Sequence, residues 1–316
     1  MKKLSGYATV RNCIRQEYPW EKTLKSMLGF CDEVIVLDGG SDDGTWERLN
    51  ELAKEHNALK PYQEAIDWNR KNTAVYDGLQ KASAREKCTG EWCWQMDVDE
   101  YVKEKDHQKI RDLIENLKEP ENDLIALPVV EYWGGYDKVR VDVNPWKWRL
   151  SRNKPYITHG IPIKHRKKNN NGNINSLGSD GCDYIDLLSG TPIPFITFYT
   201  NEAHQCRAKA YSGDRIALKE YEEWFNGAVK ALPTVHHYSW FDIERKIKTY
   251  KNYWSKHWDD IFGRDKETNF FFDKPWSEVN DKDIKILATR MKNEMGGWVF
   301  HRKIDFSQPT PWIRIK

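Results

Sequence analysis

Short apolar runs alternate with amphipathic stretches through the first hundred residues of the chain. The apolar runs are rich in β-branched and aromatic residues and predict strands at residues 4–10, 33–37, 59–66 and 92–96. Apolar residues at helical spacing predict helices at residues 20–30, 46–56 and 73–88. This alternation of strands and helices is typical of an α/β fold.

Acidic residues follow two of these predicted strands. Asp38 comes at the end of the second strand and precedes two glycines, whereas Asp97 and Asp99 come directly after the run at residues 92–96. Because an unpaired carboxylate is costly to bury, we expect these acids to face a cleft. Two aspartates one residue apart at a strand end suit Mg²⁺ or Mn²⁺. The alternative interpretation is an acidic turn that caps the next helix.

The pattern changes after residue 102. It predicts a helix at residues 107–117 capped by Asp106, a strand at residues 124–130, and an edge or antiparallel strand at residues 146–150. Further helices are predicted at residues 211–225, 235–262 and 281–295. The second of these carries its aromatic residues on one broad face, which packing alone explains.

Composition excludes several classes of protein. A chain of 316 residues is long enough for one large α/β domain with an appendage, or for two small domains. The formal charge of +2 favours no nucleic-acid partner. Six cysteines without a CxxC pair predict reduced thiols in a cytoplasmic protein. No apolar run reaches the roughly 20 residues that span a bilayer, so we expect at most a peripheral contact with the inner membrane surface.

Three segments, taken in order and spacing, resemble the nucleotide-sugar-binding half of the family 2 glycosyltransferases, which have the GT-A fold. They are GYATVRN at residues 6–12, VIVLDGGSDDGT at residues 34–45 and KASAREKCTGEWCWQMDVDE at residues 81–100, which ends in a DxD motif. The segments WKWRLSRN and YITHGIP resemble the acceptor half more loosely.

The resemblance implies a GT-A fold, with a Rossmann-like, mainly parallel sheet flanked by helices and a mixed sheet on the acceptor side. The implied GT-A domain covers residues 1–235. Its nucleotide-sugar-binding half is residues 1–102 and its acceptor half is residues 103–235. Residues 236–316 are then a helical, aromatic-rich extension.

The resemblance also implies roles for single residues. Asp99 is the expected metal ligand, and Asp97 is expected to face the ribose or the water shell of the metal. A histidine far along the chain often adds a ligand in this fold, and His236 and His237 are the candidates; a hydrogen-bonded helix cap is the other interpretation of both. The expected contacts to the nucleotide come from Thr9, Arg11, Asp38, Arg85 and Asp97.

The general base is left open by the sequence. Asp180 and Asp183 lie at a suitable distance along the chain after the DxD motif, and His159 is a rival. For each of the three, a structural role is the stronger interpretation: turn formation for the aspartates and a buried hydrogen bond for the histidine.

The sequence therefore predicts a metal-dependent, inverting glycosyltransferase of the kind that serves polysaccharide biosynthesis. Its donor would be a nucleotide-diphosphate sugar, with UDP favoured and GDP or dTDP as alternatives, and its acceptor a saccharide or a lipid-linked glycan. A sugar nucleotidyltransferase is less well supported, because Arg11 and Asn12 follow the first strand in place of a glycine-rich loop. A non-catalytic carbohydrate-binding protein would leave Asp38, Asp97 and Asp99 without a purpose.

Overall fold

The computed structural model describes residues 2–65, 73–117, 123–159, 167–168, 174–175, 184–186, 197–253, 271–295 and 312–316. The chain divides into two compact units. The first contains residues 1–126 and 148–196, and the second contains residues 127–147 and 197–316.

The described helices and strands are numbered in chain order. The strands are β1 (Leu4–Val10), β2 (Glu33–Asp38), β3 (Leu59–Gln63), β4 (Trp92–Gln95), β5 (Glu100–Val102), β6 (Leu124–Trp133), β7 (Lys138–Arg140), β8 (Trp146–Arg152), β9 (Ile157–His159), β10 (Lys167–Lys168), β11 (Ile174–Asn175), β12 (Tyr184–Asp186), β13 (Val235–Trp240) and β14 (Trp312–Arg314). The helices are α1 (Trp20–Leu28), α2 (Thr45–Glu55), α3 (Thr73–Glu86), α4 (Glu104–Asn116), α5 (Asn201–Tyr211), α6 (Arg215–Ala231), α7 (Ile243–Asn252) and α8 (Asp281–Glu294).

The first unit is built on a mainly parallel sheet with the strand order β8-β4-β1-β2-β3. β1 pairs in parallel with both β2 and β4, and β3 pairs in parallel with β2. β8 is antiparallel to β4, as its alternating sequence predicts. Helix α3 packs on β1 and β2, and α2 packs on β3. The α/β fold with a mainly parallel sheet flanked by helices is thereby confirmed.

The second unit combines strands with a mostly helical remainder. β13 runs parallel to β6, whereas β7 is antiparallel to β6 and β14 is antiparallel to β7. Side chains of Thr200, Asp214, Asp242 and Asn280 accept hydrogen bonds from backbone N–H groups in the first turns of α5, α6, α7 and α8. Such caps satisfy donors that a helix start otherwise leaves unpaired.

Three details of the sequence prediction are wrong. Residues 235–240 form strand β13 rather than the start of a long helix, and α7 begins only at Ile243, after its cap Asp242. The helix predicted at residues 211–225 is α6, preceded by an unpredicted α5; Gly213, with a φ of 98°, separates the two. Asp106 lies inside the first turn of α4 and does not cap it. For α4 and α6 the apolar periodicity was right but a cap or breaker was misplaced, whereas residues 235–240 form a strand because they pair with β6.

Candidate active site

The acids predicted to face a cleft lie at one edge of the sheet in the first unit. β1 lies between β2 and β4, and all three strands run in the same direction. The last residue of β2 is Asp38, which pairs with Val10 at the end of β1. Asp97 follows β4 by two residues. Since the carboxyl ends of parallel strands meet at one edge, this arrangement is the usual position of a ligand site in such a sheet.

Two loops at this edge are joined by hydrogen bonds. Asn12 N–H donates to Ser41 Oγ at 2.9 Å, and Asp42 N–H donates to Asn12 Oδ1 at 2.9 Å. Arg15 N–H donates to Asp43 Oδ2 at 2.7 Å. Asn12 has a φ of 47°, in the left-handed region that asparagine tolerates better than most residues. The loop after β1 and the turn after β2 therefore form one frame.

Asp38 stabilises this frame through hydrogen bonds. Its side chain is wholly buried, and Oδ1 accepts hydrogen bonds from Gly40 N–H and Ser41 N–H, both at 2.9 Å. Gln63 Nε2 on β3 donates to the same oxygen at 3.1 Å, and Ser41 Oγ donates to Oδ2. Asp38 thus sits at the predicted strand end and holds the turn. Its contact with a nucleoside stays a prediction.

Asp97 is surrounded by cationic and amide groups. Lys81 Nζ on α3 lies 2.9 Å from Oδ1, and Gln95 Nε2 donates to Oδ1 at 3.0 Å. Arg149 Nη2 on β8 donates to Oδ2 at 2.8 Å. Lys81 also forms an ion pair with Asp77 at 3.0 Å. Both oxygens of Asp97 are therefore engaged by positive or amide donors.

Glu100 and Arg149 form a buried ion pair that also contacts Asp97. Arg149 Nη2 also donates to Glu100 Oε1, and Nη1 donates to Gln95 Oε1. Glu100 Oε2 accepts the N–H of Asp97 at 3.1 Å. Arg149 and Lys81 were missed from the sequence. The available signal was an arginine within a strand and a lysine one helical turn after Asp77, but neither pattern names its partner.

Asp99 is buried close to other acids. Burial raises the pKa of the Cys13 thiol, and the charges of Asp43, Asp38 and Asp99 raise it further. Asp99 itself is only 6 % exposed and follows Asp97 by two residues. A carboxylate at such a position supplies hard oxygen atoms of the kind that Mg²⁺ and Mn²⁺ prefer.

Arg85 and His159 lie deeper in the first unit. Arg85 donates through Nε to Ile157 O at 3.2 Å, through Nη1 to Ser151 Oγ at 2.7 Å and through Nη2 to Arg152 O at 2.6 Å. It therefore ties α3 to β8 and to β9. Its predicted contact with the nucleotide is untested.

His159 is a buried imidazole beside Tyr7, whose hydroxyl lies 3.1 Å from Nδ1. Burial, followed by the charges of Lys81 and Arg149, lowers the pKa of His159 well below 6.5. The side chain therefore stays neutral near pH 7 and is a weak proton acceptor.

Thr9 and Arg11 lie at the end of β1. Thr9 is partly exposed and pairs with Leu37 of β2, and Arg11 follows the strand, where its carbonyl accepts a hydrogen bond from Gln16 Nε2 at 3.2 Å. Their predicted role in donor binding stays a prediction. The candidate bases Asp180 and Asp183 lie outside the described residues.

The histidine candidates belong to the second unit, where strand alternation turns them to opposite faces of β13. His236 is buried, and its Nδ1 lies 2.9 Å from the hydroxyl of Tyr132. His237 Nδ1 lies 2.6 Å from Glu131 Oε1 and 3.1 Å from Lys147 Nζ. They stand on a strand rather than before a helix, so the capping interpretation is wrong. Their metal-ligand role is untested.

The described part of the chain contains neither a clustered metal site nor a membrane-spanning helix. No group of three or more His, Cys, Asp or Glu side chains there could hold a metal ion by itself. Nor does any described helix combine the length and the apolar character needed to cross a membrane.

Comparison with known proteins gives one family and several partial structural similarities. The family model described as glycosyl transferase family 2 matches residues 12–177, just over half of the chain. No curated protein matches.

Among solved structures, residues 1–349 of S. aureus TarS are similar with 18 % identity and a TM-score of 0.34, over 48 % of this chain and 47 % of that one. A mannosyltransferase from Pyrobaculum calidifontis, in complex with GDP-Man and Mn²⁺, shows 18 % identity and a TM-score of 0.33 over 40 % and 35 % of the two chains. Glucosyl-3-phosphoglycerate synthase from Mycobacterium tuberculosis, in complex with Mn²⁺ and UDP-glucose, shows 17 % identity and a TM-score of 0.27 over 40 % and 43 %. The chain thus spans about half the length of the first of these structures, or less for the others.

Proposed function

The chain belongs to glycosyl transferase family 2. From this premise we propose that it is a glycosyltransferase and that it binds the nucleotide diphosphate of a sugar donor at the ends of β1, β2 and β4. The single observation that carries the proposal is the position of Asp38 at the carboxyl end of β2 and of Asp97 and Asp99 just after β4, at one edge of the parallel sheet. Ligands of mainly parallel sheets bind outside the carboxyl ends of the strands, which is where these acids lie.

Residues of the first unit have distinct proposed roles in donor binding. Asp38 and the frame of loops around it hold the nucleoside, and Thr9 and Arg11 border the frame at the end of β1. Asp97 contacts the ribose or a water molecule of the metal shell. Lys81 and Arg149 offset the negative charge that accumulates when a diphosphate enters a site with several carboxylates.

A divalent cation fits the oxygen donors at this edge. Asp99 is the proposed ligand, as the second acid of the DxD sequence at residues 97–99. Mg²⁺ and Mn²⁺ are commonly held by one or two carboxylates together with substrate phosphates, so a complete cage of protein ligands is not required. When bound, such a cation stabilises the charge on the departing diphosphate. His236 or His237 stays a proposed further ligand.

The proposed reaction inverts the configuration of the transferred sugar. A hydroxyl group of a saccharide or lipid-linked glycan attacks the anomeric carbon, the bond to the diphosphate breaks, and the hydroxyl proton passes to a general base. Asp180 and Asp183 are the preferred bases, because burial and nearby cations make His159 a weak proton acceptor. We assign donor binding to residues 1–102 and acceptor binding to residues 103–235, with residues 236–316 as an extension that begins within β13.

Calorimetry with UDP and GDP, each with and without Mn²⁺, tests this proposal. We expect UDP to bind and Mn²⁺ to tighten its binding. Asp99→Asn removes the charge that holds the cation and should abolish most of the gain from Mn²⁺, by roughly tenfold or more in affinity. A screen of sugar nucleotides for released nucleotide then identifies the donor.

Asp112→Asn is the matched control, because Asp112 is an exposed aspartate on α4 whose visible contact is with Gln108 one turn away. This variant should bind nucleotide as the unmodified protein does. The proposed donor site would be refuted if neither UDP nor GDP bound. The proposed cation would be refuted if the affinity for nucleotide were the same with and without Mn²⁺.

A further inference from the structure

Arg149 lies where β8 passes the carboxyl end of β4. The strands are antiparallel, with Leu150 opposite Trp94, so Arg149 comes beside Gln95, the last residue of β4. Its side chain is inside the first unit and the residue is only 5 % exposed. An arginine at this depth needs partners for its charge and its N–H groups.

The guanidinium group of Arg149 binds three residues of a single segment. Nη1 donates to Gln95 Oε1, and Nη2 donates to both Asp97 Oδ2 and Glu100 Oε1. Residues 97–100, here named the acid loop, are therefore held at both ends by one side chain. The planar guanidinium fixes the directions of its bonds, which a lysine ammonium does not.

The acid loop also closes on itself around Glu100. Glu100 N–H donates to Asp97 O at 3.0 Å, and Asp97 N–H donates to Glu100 Oε2 at 3.1 Å. Glu100 is wholly buried. Because a buried carboxylate is stable only beside a compensating charge, the bond from Arg149 holds Glu100 in place, and Glu100 in turn holds the backbone of Asp97.

Lys81 acts on the same aspartate in a different way. Its described ion pairs are with Asp97 Oδ1 at 2.9 Å and with Asp77 at 3.0 Å. Removing Lys81 would change the charge near Asp97 but leave the acid loop fastened. Removing Arg149 would release both Asp97 and Glu100, the two ends of the acid loop.

We propose that Arg149 is a positioning residue for glycosyl transfer, which holds the acid loop so that Asp97 and Asp99 face the donor. The proposal rests on the donor site proposed above. Arg149 acts through the loop and does not itself touch the donor.

Arg149→Lys keeps the positive charge at this position but removes the planar guanidinium group that binds three residues in fixed directions. A displacement of about 1 Å at a catalytic group can cost about 10²-fold in rate. We therefore expect kcat to fall about 10²-fold, while the KM for the donor changes much less because the charges of the site are unaltered. Glu100→Gln conserves side-chain volume and should produce a similar fall, and the double variant should lose less than the two separate losses combined, since both act through one contact.

Arg152→Lys is the matched control. Arg152 is also a buried arginine of β8, but it stacks over Trp92 at 4.5 Å and lies 3.7 Å from Asp123, away from the acid loop. Its loss should lower the urea midpoint without lowering kcat.

The outcomes separate the two proposals. If the unmodified protein bound neither UDP nor GDP, the donor site itself would fail. If it bound nucleotide and turned over, but Arg149→Lys and Glu100→Gln kept the kcat of the parent, the positioning role would be overturned. Loss of stability equal to that of Arg152→Lys with unchanged kcat would likewise assign Arg149 to folding alone. Should Arg149→Lys fail to fold, Glu100→Gln and its kcat decide the question.

Discussion

At the scale of single residues, position and environment give ionisable groups in the first unit very different chemistry. His159 and Asp97 are both within reach of Lys81 and Arg149. For the carboxylate these cations are partners, whereas for the imidazole they oppose protonation. A neutral, buried histidine fits a fixed hydrogen bond with Tyr7 better than repeated proton transfer.

The candidate bases can be separated by their variants. We expect Asp180→Asn or Asp183→Asn to lower transfer by ~10²-fold or more while nucleotide affinity is kept. His159→Gln should lower transfer less and lower the unfolding midpoint more, because it disturbs a buried contact. Initial rates, calorimetry and urea unfolding on each variant provide the comparison.

A fall of similar size in His159→Gln alone, with stability and nucleotide affinity intact, would show the assignment to be wrong. Since the pKa of His159 lies well below 6.5, its protonation should also contribute no change in rate between about pH 6 and pH 8.

At the scale of elements, loops rather than strands determine the shape of the candidate site. The strands place their ends at one edge, but the frame at residues 12–15 and 41–45 depends on hydrogen bonds between two separate loops. Asn12 contributes in two ways: its side chain accepts the N–H of Asp42, and its backbone adopts a φ of 47°. Among the described non-glycine residues, positive φ values occur at Asn12 and Glu17.

Substitution of Asn12 tests this dependence. Asn12→Gly loses the side-chain bond but tolerates the backbone angle, whereas Asn12→Ala loses both. Since a left-handed residue with a Cβ costs roughly 1–2 kcal/mol, Asn12→Ala should be the less stable by about 1 kcal/mol in urea unfolding.

Asn57 is the control for the expected difference in stability between the glycine and alanine variants. It is exposed and is not among the residues with positive φ. There the glycine variant should be no more stable than the alanine variant, because glycine loses more entropy on folding. Equal stabilities of the two Asn12 variants would contradict the role given to its backbone.

At the scale of the whole molecule, carboxylates are stabilised in the folded state in both units. The pKa lies below its ordinary value for Glu21, Asp32, Glu33, Asp43, Glu64, Glu131, Glu202 and Asp283. At Asp32, burial alone would raise the pKa, but the bonds from Arg111 at 2.7 and 3.0 Å and from Leu4 N–H outweigh it. Such groups favour the folded state while they are ionised.

Stability should therefore fall as the pH is lowered through the acidic range. A depressed carboxyl pKa contributes stability that is fully present above the unfolded value, about 4, and is lost as the pH falls through the folded value. We expect the urea midpoint to decline below about pH 5. Asp32→Asn should cost roughly 1 kcal/mol at pH 7, after allowance for solvent screening, and little at pH 3.

Asp112→Asn serves again as the exposed control and should leave the pH dependence unchanged. A urea midpoint that stayed constant from pH 6 to pH 3 would exclude these carboxylates as a source of stability.

Local sequence by itself determined strands β1 to β4 and β8, helices α1 to α4 and the position of Asp38 and Asp97 at or just after strand ends. These features follow from periodicity and from the cost of burying charge, and both act between near neighbours in the chain. The family resemblance of residues 6–12, 34–45 and 81–100 has the same local origin.

Tertiary structure decided what surrounds these acids. Arg149 is 52 residues from Asp97 in the chain and reaches it only because β8 pairs with β4. Residues 235–240 are a strand because β6 supplies a partner for their backbone, although the apolar spacing that follows is helical. Long-range pairing overrides local preference in such places, and a single sequence without its fold does not state which distant segments will meet.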